Sequence, residues 1–211
     1  MDLGSSFTYV FEDEEWIKKV LIAALAAFIA FIGWIPLLGW SIMITRRVIR
    51  RDPVPLPDWS DIGGLFMLGL KGLAIVIVAC ILPLVLSLPL ILISAVANDS
   101  DTIYMLYSIC YGCFSIIYGL AIAFVLPASF GILADTDSLP DALNPSKLIA
   151  LIRAVPSAYL MALVGGILAS IVADFGVILC FVGVFATFAY AAAVMGHLYG
   201  QAYNQAKEMV V

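Results

Sequence analysis

Four apolar blocks limit what this chain can become: Val20–Thr45, about Gly72 to Ala97, Ile103–Leu133, and Ala154 to about Tyr203. A helix rises 1.5 Å per residue and the hydrocarbon core of a bilayer is about 30 Å thick, so a crossing takes about 20 residues. The last block is too long for one crossing, and Asp174-Phe175-Gly176 is its natural break. Only short polar segments separate the blocks: Arg46–Asp61, Asn98–Asp101 and Asp135–Ser146. No soluble domain fits between them. Hydrophobic residues make up 64% of the chain and charged residues 12%, against about 45–50% and about 25% in soluble domains. With a mean hydropathy of +1.12, the chain needs lipid as solvent for much of its surface. The expected fold class is all-α: a polytopic helical membrane protein.

Residues 20–45 admit two readings. Gly33-Trp-Ile-Pro-Leu-Leu-Gly-Trp40 sits inside this run, and Gly33, Pro36 and Gly39 weaken helical hydrogen bonding there. Trp34 prefers the interface, yet a straight crossing helix would hold it near the bilayer centre. Charge leans the same way. A single crossing strands Lys18 and Lys19 on the far side from the other basic residues, whereas a re-entrant hairpin puts all 10 on the cytoplasmic side. The hairpin, with GWIPLLGW at its apex, is the favoured reading; its arms of about 12 residues reach only about 18 Å, and its turn needs protein around it. One kinked, tilted crossing is the alternative.

The expected layout is a single integral membrane domain over 1–211. It has the hairpin at 20–45 and crossings at about 72–97, 103–133, 154–173 and 180–203, with interfacial helices at about 60–71 and 146–153. Both termini are then cytoplasmic, in a multi-pass protein of the cell membrane. Leu56-Pro57-Asp58 recurs as Leu139-Pro140-Asp141, each copy followed by an amphipathic stretch carrying a basic residue, Lys71 or Lys147 and Arg153. Proline at a helix start and a basic residue near headgroups suit a short helix lying in the interface. The N-terminus is acidic and lacks the basic region and cleavage site of a signal peptide.

Small residues recur every fourth position at Ala158, Ala162, Gly166 and Ser170, ending on Asp174, and again at Ala192, Gly196 and Gly200, ending on Asn204. Such spacing lines one face and lets backbones approach. The last two crossings are expected to pack together through these stripes, with a homo-oligomer contact as the alternative. Asp174 and His197 are the ionisable groups in or beside the last block, and intramembrane ionisable residues are functional candidates. For Asp174 an N-cap of the final helix is the favoured role. For His197, amid Tyr199, Gln201, Tyr203 and Asn204, it is anchoring at the headgroups, with binding of a polar solute as the alternative. Cys110 and Cys113 have CxxC spacing without a polar setting or further ligands, so buried packing is expected of them.

No nucleophile–base pair, paired intramembrane acids, phosphate-binding glycine loop or metal-ligand cluster is visible in the sequence. Neither catalysis nor a cofactor is expected. The basic residues are few and flank the membrane, which argues against nucleic acid. All but Asp174 of the 15 acids lie outside the apolar blocks, in termini and loops, so the net charge of −5 is ordinary solvated surface.

Several stretches resemble a family of polytopic prokaryotic membrane proteins known as domain of unknown function 4013. They are Asp13-Glu-Glu-Trp-Ile-Lys-Lys19, Ile35-Pro-Leu-Leu-Gly39, the basic Arg46–Arg51 run, Leu56-Pro-Asp-Trp59 leading into Leu65-Phe66 and Gly69-Leu-Lys71, and Gly196-His-Leu-Tyr-Gly-Gln-Ala-Tyr203. The resemblance implies a complete unit from a prokaryotic membrane; it brings no activity and no site residues.

The expected function is a non-enzymatic scaffold or accessory membrane component, in contact with lipids and with itself or another membrane protein. The alternative is a small transporter or channel for a neutral or apolar solute, in which Pro83, Pro89 and Pro127 break helices around a midplane cavity.

Overall fold

A computed structural model describes residues 1–29, 32–96 and 101–210, and these are helical throughout apart from turns and loops. The expected acidic turn at Asn98–Asp101 lies largely outside the described residues. Helices α1 (Leu3–Thr8), α2 (Trp16–Phe28) and α3 (Trp34–Arg50) precede the long α4 (Ile62–Val96) and α5 (Asp101–Thr136). The short α6 (Leu139–Ala142) and α7 (Pro145–Ala154) then lead into α8 (Pro156–Phe175) and α9 (Cys180–Val210). Three segments, Ile62–Leu92, Tyr104–Thr136 and Pro156–Ile178, are long and apolar enough to cross a membrane.

The break in the first apolar block falls ahead of GWIPLLGW. Helix α2 stops at Phe28, and α3 starts at Trp34 with Pro36 in its first turn, where a missing N–H costs nothing. GWIPLLGW is therefore the opening of a helix rather than an apex. Trp34 holds the break by donating its indole N–H to the Ala27 carbonyl at 3.0 Å. The stretch 60–71, expected as a separate interfacial helix, runs without interruption into α4. Asp61 accepts the Gly64 N–H at 2.8 Å and starts this helix. Helix α7 covers the other expected interfacial stretch, capped by Asn144 with Pro145 behind it and burying Leu148 and Leu151.

Gly39 and Gly69 bring α3 and α4 together. A β-carbon on Gly39 would strike the Leu65 carbonyl, and one on Gly69 would strike the Ile35 carbonyl. The two backbones thus touch directly, so glycine at position 39 serves packing rather than chain reversal. Helix α9 lies against α2, α3, α5, α7 and α8.

The small-residue stripe of α9 faces α3, not α8. Gly196 meets Ser41 and Ile44, and Gly200 meets Val48 and Thr45. Polar atoms follow the same seam: Ser41 Oγ donates to the Ala192 carbonyl at 2.7 Å, and Thr45 Oγ1 to that of Gly196 at 2.9 Å. Helix α8 meets α9 one position round from the expected stripe. Gly165 lies against Leu198, and Ala169 packs with Ala191 and Val194. Gly166, by contrast, faces open space. Side chains three and four apart share a face, and 162-165-169 is such a row.

The outer halves of α4 and α5 pair with each other and leave large apolar side chains such as Leu84, Ile91, Leu106 and Ile116 exposed. Proline at 83 has no N–H for the Ala79 carbonyl one turn back, and Tyr118 of α5 donates its hydroxyl to that oxygen at 2.7 Å. Tyr111 and Tyr107 reach the Pro83 and Leu86 carbonyls in the same way. Cys110 and Cys113 are exposed on this outer half, contrary to the expected burial, because no further helix covers it among the described residues.

Candidate functional site

Charged side chains gather at the end of the bundle where α3 and α5 finish and α4 begins. Lys19 opens α2, and its side chain is 7% exposed. Its ammonium donates to Asp13 Oδ2 at 2.8 Å and to the Leu56 carbonyl at 3.0 Å, with Asp58 at 3.4 Å. Asp13, 3% exposed, also accepts the N–H groups of Glu15 and Leu56. Burial by itself pushes the Asp13 carboxyl up; the Lys19 and backbone hydrogen bonds together with the Lys19 charge outweigh it and hold the carboxyl below its ordinary range.

The Leu56–Trp59 loop is pinned from both sides. Trp40 donates to the Pro57 carbonyl at 3.0 Å, and Trp59 donates to that of Lys19 at 3.1 Å. The two indoles stack at 5.7 Å. Arg47 reaches the same Leu56 carbonyl at 3.1 Å, so the start of α2 and the end of α3 converge on one oxygen.

A second group lies at the end of α5. Asp137 adopts a left-handed conformation with φ 59°. Its carboxylate takes Arg46 of α3 at 3.0 Å and Lys71 of α4 at 2.9 Å. The Lys71 hydrogen bond, aided by Arg46 and opposed by partial burial, holds this carboxyl low. Two residues earlier, Asp135 accepts from Tyr203 at 2.9 Å and Lys207 at 2.6 Å. Cations thus sit where the α5 dipole is negative.

His197 belongs to a third group, formed with the N-terminal segment. Its ring stacks on Tyr9 at 4.1 Å and 19°. Nδ1 lies 3.0 Å from Ser6 Oγ and 3.3 Å from Gln201 Nε2. Gln201 Oε1 accepts the Asp2 N–H at 2.9 Å, and Tyr9 donates to the Ala193 carbonyl at 2.8 Å. A cleft of about 240 Å³ opens beside this ring, bounded by Glu12, Arg47, Arg51 and Asp52.

The structure separates the residues singled out in the sequence. His197 and Gln201 share this cluster, Gly196 and Gly200 form the α3 seam, and Tyr199 packs beside Phe130. Pro36 is buried in α3. Asp174 lies apart, exposed in the last turn of α8. It is not the N-cap of α9, because a 3-10 turn over Gly176–Leu179 intervenes. The residues the sequence hid are Asp13 and Lys19. One acid among four and one lysine of two carry no periodic mark; only the placement of Lys19 against the apolar block hinted at burial.

No curated protein and no solved structure matches the chain. Residues 22–182 match the family described as Protein of unknown function (DUF4013). The match takes in the α3–α4 glycine contact, the Leu56–Trp59 loop and the paired outer helices, and so covers most of the bundle; the chain belongs to that family.

Proposed function

We propose that the chain is a multi-pass membrane protein acting as a non-enzymatic scaffold or accessory component. In this reading α4, α5, α8 and α9 are four crossings, α2 and α3 form a re-entrant hairpin, and both termini are cytoplasmic. The observation that carries the hairpin is the meeting of Lys19 and Arg47 on the Leu56 carbonyl. A single crossing would hold the ends of this block about 30 Å apart. The positive-inside rule then assigns the charged end to the cytoplasm.

The scaffold role rests on how polar groups are used between helices. Ser41 and Thr45 lock α3 to α9, and the α5 tyrosines lock α4 to α5. A transporter built on broken helices would turn the carbonyl freed by Pro83 toward a solute; here Tyr118 occupies it. Gentle-detergent purification from native membranes tests the role, with a stoichiometric partner or self-assembly as the expected result. A lone monomer would count against it. For the topology, cysteines introduced before Trp16 should resist a membrane-impermeant reagent added to intact cells, and labelling there would refute the hairpin.

A further inference from the structure

The cleft beside His197 is built more carefully than a helix anchor requires. Three contacts fix the imidazole: the Tyr9 ring on one face, and Ser6 and Gln201 at Nδ1. The amide of Gln201 is itself oriented, because its oxygen accepts the Asp2 N–H and its nitrogen donates to Ser5 Oγ at 3.2 Å. Nε2 has no partner among the described residues, and the ring lines the cleft.

Arg47 is oriented too. Its Nη1 donates to the Val54 and Leu56 carbonyls, both at 3.1 Å, which leaves the other edge of the guanidinium free among the described residues. Arg51, one turn on, lines the same cleft. Its side chain is 78% exposed, and it pairs with Glu208 at 3.0 Å. The edge of the His197 ring and two guanidinium groups thus line one opening, and the guanidinium N–H groups suit phosphate oxygens. Glu12 and Asp52 also line it. The Asp52 carboxylate already accepts the Val54 N–H at 3.0 Å; Glu12 is left for a cation.

We propose that this cleft binds a phosphate ester carrying an ammonium group, of the phosphoethanolamine type, with phosphate on Arg47, Arg51 and His197 and ammonium on Glu12. Two guanidinium charges against two carboxylates match a zwitterion better than a plain anion. The occupant is either a lipid headgroup or a soluble ester. The site does not depend on the scaffold reading, since a headgroup can be held whatever the protein does.

Native mass spectrometry of the full chain released from nanodiscs tests it. Nanodiscs containing phosphatidylethanolamine should yield a retained lipid, and phosphatidylglycerol should be retained much less. Arg51→Gln alters an exposed side chain and should weaken retention about fivefold. His197→Phe keeps the stack on Tyr9 and should weaken it as well. Glu12→Gln should remove the preference between the two lipids while leaving retention in place. Phosphorus NMR with soluble phosphoethanolamine separates the sources: binding without lipid assigns a soluble ester, and retention in nanodiscs alone assigns a headgroup. Equal retention of both lipids by the unaltered chain would overturn the proposal, as would unchanged retention in Arg51→Gln and His197→Phe, or no binding of either source.

Discussion

Replacing Lys19 by methionine should cost this protein about 3 kcal/mol of stability. Methionine keeps the length and the apolar stem of lysine but removes the charge. The Asp13 carboxylate then stays 3% exposed without its counter-ion. Removing one partner of a buried pair typically costs about 3–5 kcal/mol, against at most about 1 kcal/mol for a solvated pair. The lower end applies here because the Glu15 and Leu56 N–H groups still point at Asp13, at 2.9 and 3.2 Å. The Leu56 carbonyl also keeps Arg47. In the double variant Asp13→Asn/Lys19→Met neither charge is stranded, so it should recover about 1–2 kcal/mol relative to the sum of the singles. Reversible unfolding in mixed micelles by SDS titration, followed by tryptophan fluorescence, gives these numbers, since Trp40 and Trp59 report on the pinned loop. A Lys19→Met cost under about 1 kcal/mol, or strictly additive variants, would refute the claim that this pair is desolvated.

Acid should weaken the same contacts. Asp13 and Asp137 both have carboxyls held below their ordinary range. Their contribution is complete above the unfolded value of about 4 and fades as pH falls through the lowered folded values. Stability at pH 3 should therefore fall below that at pH 6, with a smaller drop in Asp13→Asn. Gly69→Ala should cost about 3 kcal/mol, because its methyl meets a backbone carbonyl that no rotamer change can clear; chemical denaturation in micelles checks it. Tyr118→Phe should cost about 1–2 kcal/mol by orphaning the Ala79 carbonyl. Most of that cost should vanish in a Pro83→Ala background, where an N–H returns to the carbonyl.

The sequence announces the membrane and hides the seams. Apolar blocks and charge placement reveal the helical class and the polar end, because both are sums over many residues. The meaning of single residues depends on partners distant in the chain. Gly39 reads as a breaker until Gly69 is seen against the same backbone. Gly196 and Gly200 mark a close approach correctly but do not say to whom, and the expected partner α8 proved to be α3. Periodicity gives a face, never its neighbour. His197 stands out because it is the single histidine, whereas Tyr9 and Ser6, which orient it, look like ordinary N-terminal residues.

The seam between α3 and α9 also sets a timetable. The ribosome makes α2 and α3 well before α9, the helix whose carbonyls take the Ser41 and Thr45 hydroxyls. Until α9 arrives, Phe28 at the end of α2 and Trp34 at the start of α3 lack their ring contacts with Phe185 and Phe188. In the proposed re-entrant hairpin, free backbone groups between two helices need protein rather than lipid around them. A segment made early thus finds its place late, and a nascent chain stopped before Phe185 should be left with α2 and α3 unsettled.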